Sequence, residues 1–395
     1  MLNETFEARG RSVPVAGRFD PRFEGVVEAF RENYRAEEDE LGSAVSVVVD
    51  GVPVVDVWGG WSDEDRREPW AEDTLVCMMS VAKGVSAVAV AQLADRGLLD
   101  LDAPVADYWP EFAQNGKEGV LVRWVLDHRA GLPAIVDDPP PAGATFDRDA
   151  MVEALARTRP LWEPGTVAAY HVQTQGYILG ELVRRITGRP IGEWVRDEIT
   201  GPLGADYWMG LPESEFARTA DLLPNPASRL IAARDAEPAD SLRVLALAQN
   251  SDAPWREMVN SREWRTAEIA SASGHGNARS VARIYAPLSR GGEVDGIRIL
   301  SPEATERMTT MQHDQIELVQ ERHYRQGLGV LLNSPDAVYM GPHPEAFGHH
   351  GIGGSAAFAD PVDRVAFGYS VNRMHAVGTN GPRAARLIDA VYAAL

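Results

Sequence analysis

Ser80-Val81-Ala82-Lys83-Gly84 opens an apolar segment that runs through Val85, Val88 and Leu93 to Gly97. The spacing predicts a helix over 80–96 with Gly97 as its stop. Residues three apart share a helix face, so the Ser80 hydroxyl and the Lys83 amine can meet. Ser80 would lie in the first turn, where free backbone N–H groups and the helix dipole favour developing negative charge. A serine hydroxyl is a weak nucleophile until a neighbouring base takes its proton. Lys83, set among Val81, Ala82 and Val85, is a candidate for that base because desolvation favours the neutral amine. The plainer reading is a helix cap followed by a snorkelling lysine.

Composition bears on that choice. Of the 38 basic residues only Lys83 and Lys117 are lysines, leaving 36 arginines (38 − 2). Arginine cannot lose its proton in a protein, whereas a buried lysine can. The chain has 395 residues, 45% of them apolar, which allows a sizeable core without staples. One cysteine excludes an intrachain disulfide. The charge, 38 − 58 = −20, argues against nucleic acid or an anionic membrane surface as partner. No apolar run approaches the roughly 18 residues of a spanning helix. The first ten residues carry acids and lack the apolar stretch of a secretory signal. The expectation is a cytoplasmic globular protein that acts on a small molecule, with no membrane or nucleic-acid partner; its oligomeric state is left open.

Working outward, a helix is expected over 21–35. Ser43–Val49 and Val52–Trp58 are β-branched runs around Asp50-Gly51, a strong hairpin signal. Helical periodicity dominates next, at 120–128, 149–158, 175–187, 191–199 and 277–290. Strand signals return at 327–333, 356–359 and 364–371, before a final helix over 382–395. Strands at both ends with helices between predict an α/β domain built from 1–98 and 291–395. A mostly helical domain, 99–290, is inserted in it, with the active site at their interface.

Further motifs carry a resemblance. Arg96-Gly-Leu-Leu-Asp-Leu-Asp-Ala-Pro-Val105 follows the first helix, and Leu126-Asp-His-Arg-Ala-Gly-Leu-Pro133 and Trp162-Glu-Pro-Gly-Thr166 come after it. Tyr170 precedes Gly176-Tyr-Ile-Leu-Gly180, and Gly348-His349-His350-Gly351 comes late. In this order they resemble the serine hydrolases of the class C β-lactamase and penicillin-binding-protein type, over about residues 25 to 390. The resemblance implies an antiparallel sheet flanked by helices, with Ser80, Lys83 and Tyr170 as the catalytic set and no cofactor. It also implies an oxyanion site made by the backbone N–H groups of Ser80 and Ile352. His349, Gly351 and His171 are expected beside the substrate.

Two departures narrow the reading. The family's Tyr-x-Asn is here Tyr170-His171-Val172, and the third motif has His349 where a lactamase carries a lysine that helps hold a carboxylate. Both bring the chain nearer to the family VIII carboxylesterases, which are similar enzymes that cleave small esters. The leading expectation is therefore a serine esterase. An acyltransferase or amide synthase would use the same acyl-enzyme with an alcohol or amine acceptor. Weak β-lactamase, D-amino-peptidase or amidase action would need only a different acyl donor. A non-catalytic relative would keep the fold and bind a ligand without turning it over. Whether Lys83 or Tyr170 is the base stays open, because the two would titrate as a pair.

Other residues invite readings of their own. Asp127-His128 suggests a triad, but adjacent residues on a helix point apart. No G-x-S-x-G elbow occurs. His343, His349 and His350 lack metal-ligand spacing, so no metal is expected. Cys77 reads as a small buried hydrophobe. The acidic runs Glu37–Glu40 and Asp63–Glu68 read as solvated loops. Specificity is expected to rest on loops near 135–147 and 205–270.

Overall fold

The chain begins with a hairpin that its periodicity does not announce: β1 (Leu2–Ala8) pairs antiparallel with β2 (Arg11–Phe19). Arg9 and Gly10, both at positive φ, turn the corner. The computed structural model describes residues 1–36, 40–141, 143–225, 227–228, 236–247, 253–377 and 379–395. Parts of the two loop regions expected to set specificity lie outside these residues, as does the acidic stretch 37–39.

Asp20 caps a short Pro21–Phe23 turn that leads into α1 (Glu24–Arg35), whose Val26, Val27 and Phe30 are buried on one face. The expected hairpin follows as β3 (Gly42–Val49) and β4 (Val52–Gly60), closed by Asp50 and Gly51 at positive φ. Next come α2 (Val81–Asp95), α3 (Thr174–Thr187) and α4 (Ala278–Leu288), each close to its expected span. The last third supplies β5 (His313–Glu317), β6 (Arg322–Gln326), β7 (Leu331–Leu332), β8 (Phe347–His350), β9 (Ala356–Asp360) and β10 (Val365–Val371), then α5 (Gly381–Tyr392).

These strands form one antiparallel sheet in the order β1-β2-β4-β3-β10-β9-β8-β7-β6-β5. Strands from both ends of the chain meet where β3 pairs with β10, Val45 opposite Tyr369. Two cores lie on its two faces. Val45 and Val47 point to the side of α1 and α5, while Ala44 and Val48 point to the side of α2 and α4. This alternation explains why β3 is buried almost throughout: helices cover both faces. The architecture is a large antiparallel sheet with flanking helices, as the sequence resemblance implies. Helix α4, inside the 99–290 stretch, packs directly on β3, β9 and β10.

Two local expectations need correction. Only Leu331–Leu332 of the stretch 327–333 is strand. Gly329 sits at φ +77 with its N–H on Leu126 O, and a Cβ there would come within 2.5 Å of the Ala87 Cβ. The chain turns at that point because only glycine fits so close to α2. Glu40 is not solvated. It is fully enclosed, with the Tyr369 hydroxyl donating to it and Arg383 Nη1 3.8 Å away.

Candidate active site

Helix α2 is the centre of the site. Its residues from Val81 to Leu93 are all buried, as expected for a helix apolar on every side. A small sheet fixes its entry. Leu75–Cys77 pairs with Gly274–Gly276, and Met78 N donates to Gly274 O at 2.8 Å. Met79 then adopts φ +50, a strained turn for a residue with a side chain, and Ser80 begins the helix as its N-cap. Ser80 is half-buried.

Lys83 lies one turn behind it and is 1% exposed. Its Nζ donates to Val172 O at 2.6 Å and Ser271 O at 3.0 Å, and lies 4.7 Å from the Tyr170 ring centroid. Burial pushes the amine's pKa well below the ordinary lysine value. A neutral amine has two N–H donors and one lone pair. With both donors on carbonyls, the lone pair is left to accept a proton.

Tyr170 is buried beside it, ringed by His128 (centroids 4.7 Å apart), Tyr324 (6.1 Å) and His349 (6.2 Å). Burial drives the phenol's pKa well up; a hydrogen bond with Ser80 works against that rise but does not cancel it. The phenol therefore holds its proton at rest. The loop around it is fixed by main-chain bonds: Ala169 N to His128 O at 3.0 Å, Tyr170 N to Glu317 Oε2 at 2.8 Å and Leu318 N to Ala168 O at 3.1 Å.

Strand β8 passes close to the nucleophile. A Cβ on Gly351 would stand 2.2 Å from Met78 O, so this approach requires glycine. Among the described residues, neither Ser80 N nor Ile352 N donates to another protein group. His349 is buried, and its Nδ1 bonds His350 O at 2.8 Å, which places the ring proton there. Burial, above all, keeps this imidazole neutral, and among the described residues its Nε2 has no partner. His171 is fully buried with both ring nitrogens committed: Nε2 accepts from Leu132 N at 3.1 Å and Nδ1 donates to Ala169 O at 2.6 Å. It holds the loop and has no free atom for a ligand.

Sequence reasoning overlooks Glu317, Ser271 and the seat of His128. Glu317 reads as one more acid in a chain with 58 of them. Nothing local marks it as the buried partner of a residue 147 positions away. His128, at φ +65, accepts from His171 N at 3.1 Å through Nδ1 and belongs to the loop clamp. His343 lies apart from His349 and His350, paired with Asp360 at 2.7 Å. Among the described residues, no helix is long and apolar enough to cross a membrane.

Known proteins resemble this chain over most of its length. A beta-lactamase family model matches residues 24–392. The esterase/beta-lactamase LipL of Mycobacterium tuberculosis is 34% identical, the match covering 91% of this chain and 83% of LipL. The crystal structure of a family VIII carboxylesterase superposes with TM-score 0.88 at 37% identity, over 96% of this chain and 100% of that one. A penicillin-binding-protein homologue from Caulobacter crescentus gives TM-score 0.85 at 39% identity, again over 96% and 100%.

Proposed function

The chain belongs to the beta-lactamase family, and from that membership we propose that it is a serine hydrolase that cleaves small carboxylic esters through an acyl-serine intermediate on Ser80. The esterase relatives support the substrate class. One observation carries the residue assignment: a half-buried serine backed by a buried, desolvated lysine whose donors are already committed, with a protonated tyrosine alongside.

In this reading Ser80 Oγ attacks the ester carbonyl while Lys83 takes its proton. The oxyanion is held by the N–H groups of Ser80 and Ile352. The Tyr170 phenol gives its proton to the leaving alkoxide, and Lys83 returns the captured proton to Tyr170. Water then attacks the acyl-enzyme by the reverse route. The two pKa directions favour Lys83 over Tyr170 as the first base. His349, neutral and buried, is poorly suited to hold a carboxylate, which supports uncharged esters as substrates. Ser80 and Ile352 come from the sheet-forming segments 1–98 and 291–395, Tyr170 and Ser271 from 99–290, consistent with a site at an interface between two domains.

The test is Ser80→Ala with a short-chain p-nitrophenyl ester. Loss of turnover and of the nitrophenol burst is expected, and retained turnover would overturn the assignment. Added alcohol or amine that diverts product from the free acid would reveal acyl transfer.

A further inference from the structure

Glu317 ends β5 with its carboxylate buried, 1% exposed. Among the described residues, each of its hydrogen-bond partners is a backbone donor. Oε2 accepts from Tyr170 N at 2.8 Å and Val319 N at 2.9 Å, and Oε1 accepts from Gln320 N at 2.6 Å. Burial raises the pKa of this carboxyl above its ordinary value, and the three N–H donors, which favour the ionised form, work against that rise. Two of the bonds cap the turn between β5 and β6, and this alone would be a structural duty. The Tyr170 bond differs: it crosses from the sheet edge to the loop that carries the proposed proton donor. Leu318 N to Ala168 O at 3.1 Å joins the same turn to the same loop. The edge hairpin thus grips the tyrosine from behind while α2 faces it from the front.

We propose that Glu317 is a positioning residue for Tyr170, fixing the loop main chain so that the phenol stays in register with Ser80 and Lys83. This rests on the acyl-serine reading above. Misplacement of a reacting group by about 1 Å can cost roughly 100-fold in rate, so a single main-chain anchor has leverage on turnover. The carboxylate has a second effect through its charge. Tyr170 faces Ser80 and Lys83 from α2, His128 from the preceding loop, Tyr324 and Arg322 from β6, Glu317 from β5 and His349 from β8. Among these, Tyr324 and then the Glu317 carboxylate oppose ionisation of the phenol, while the Ser80 hydrogen bond and the Arg322 guanidinium favour it. The two are cross-strand neighbours, Glu317 opposite Arg322.

Position and charge separate experimentally. Glu317→Gln removes the charge, and its amide N–H₂ confronts a backbone donor. Glu317→Asp keeps the charge on a shorter arm that falls short of Tyr170 N. Two readouts are used: the nitrophenol burst, whose amplitude counts competent sites, and kcat/KM on a short-chain alkyl ester, which reports acylation with an alkoxide leaving group that needs the Tyr170 proton. Both variants should acylate roughly 10- to 100-fold more slowly per competent site. The alkaline limb of the Gln variant should move to lower pH, because the phenol then ionises more readily; that of the Asp variant should stay. Arg322→Gln should move the same limb the opposite way. An acylation rate equal to the parent's in either Glu317 variant overturns the proposal, and so does an unmoved limb in Glu317→Gln. Failure of the acyl-serine reading looks different: the burst would persist in Ser80→Ala whatever occupies position 317.

Discussion

At the scale of single residues, the two lysines are the instructive comparison. Both are buried, and both donate to two backbone carbonyls. Lys117 Nζ reaches Gln114 O at 2.8 Å and also Thr158 O. Burial brings its amine down to about 8. Scarcity and desolvation alone therefore do not single out a base, since Lys117 has both and sits against Phe112. Lys83 differs in its neighbours, Ser80 on the same helix and Tyr170 across the loop. That helical spacing is legible in the sequence; the partner 87 positions away (170 − 83) emerges only through a family pattern, because chain distance carries no local signal. Lys83→Arg replaces the neutral amine by a permanent cation that cannot act as base. It should lower the ester acylation rate of the folded protein by about 100- to 10,000-fold. In the parent, the base works only as the neutral amine. Activity should be present above the lowered Lys83 pKa and fall as pH drops through it. A kcat/KM profile with no acid limb attributable to Lys83, or an active Lys83→Arg, would contradict the role.

Among the elements, those with strong periodicity are readable and those defined by pairing are not. Helices α1 and α3 to α5 carry their own signals in amphipathic spacing and caps, α2 in its apolar run closed by Gly97, and the β3–β4 hairpin in Asp50-Gly51. Strands β1, β5 and β6 do not, because their half-polar sequences become strands only by pairing with neighbours. Strand β8 reads in sequence as a motif, and its contact with the nucleophile turn is invisible there. That contact makes a prediction. Gly351→Ala would place a methyl 2.2 Å from Met78 O, so strand or turn must move. Displacement of the Ile352 N–H from the oxyanion should cost about 100- to 1,000-fold in kcat. A fluorophosphonate probe should still label Ser80, at a reduced rate. Parent-like turnover in Gly351→Ala would remove this strand from the mechanism.

For the molecule as a whole, closure depends on joining the two chain ends, and a buried charge pair marks the seam. Glu40 precedes β3 and Arg383 lies in α5, both enclosed, their charged atoms 3.8 Å apart. Tyr369 of β10 donates to Glu40, and Asn33 of α1 bonds Arg383 O at 3.3 Å. An acidic run reads as solvent-facing, so a sequence pattern gives no warning that one member folds inward to meet an arginine more than 300 positions later. Burial outweighs the arginine's pull and raises the Glu40 carboxyl pKa above its ordinary value. The sign follows: the folded state holds the proton more tightly than the unfolded chain. This contribution to stability is full below the unfolded pKa and is lost as pH rises through the folded one. Arg383→Met leaves Glu40 buried without its cation and raises that folded pKa further. Breaking a buried pair from one side costs about 3–5 kcal/mol. The variant's Tm should therefore fall most at neutral and alkaline pH, where the unpaired carboxylate is forced to ionise, and approach the parent's as acid neutralises Glu40. Equal Tm losses at all pH values would show that Arg383 supports this seam by packing alone.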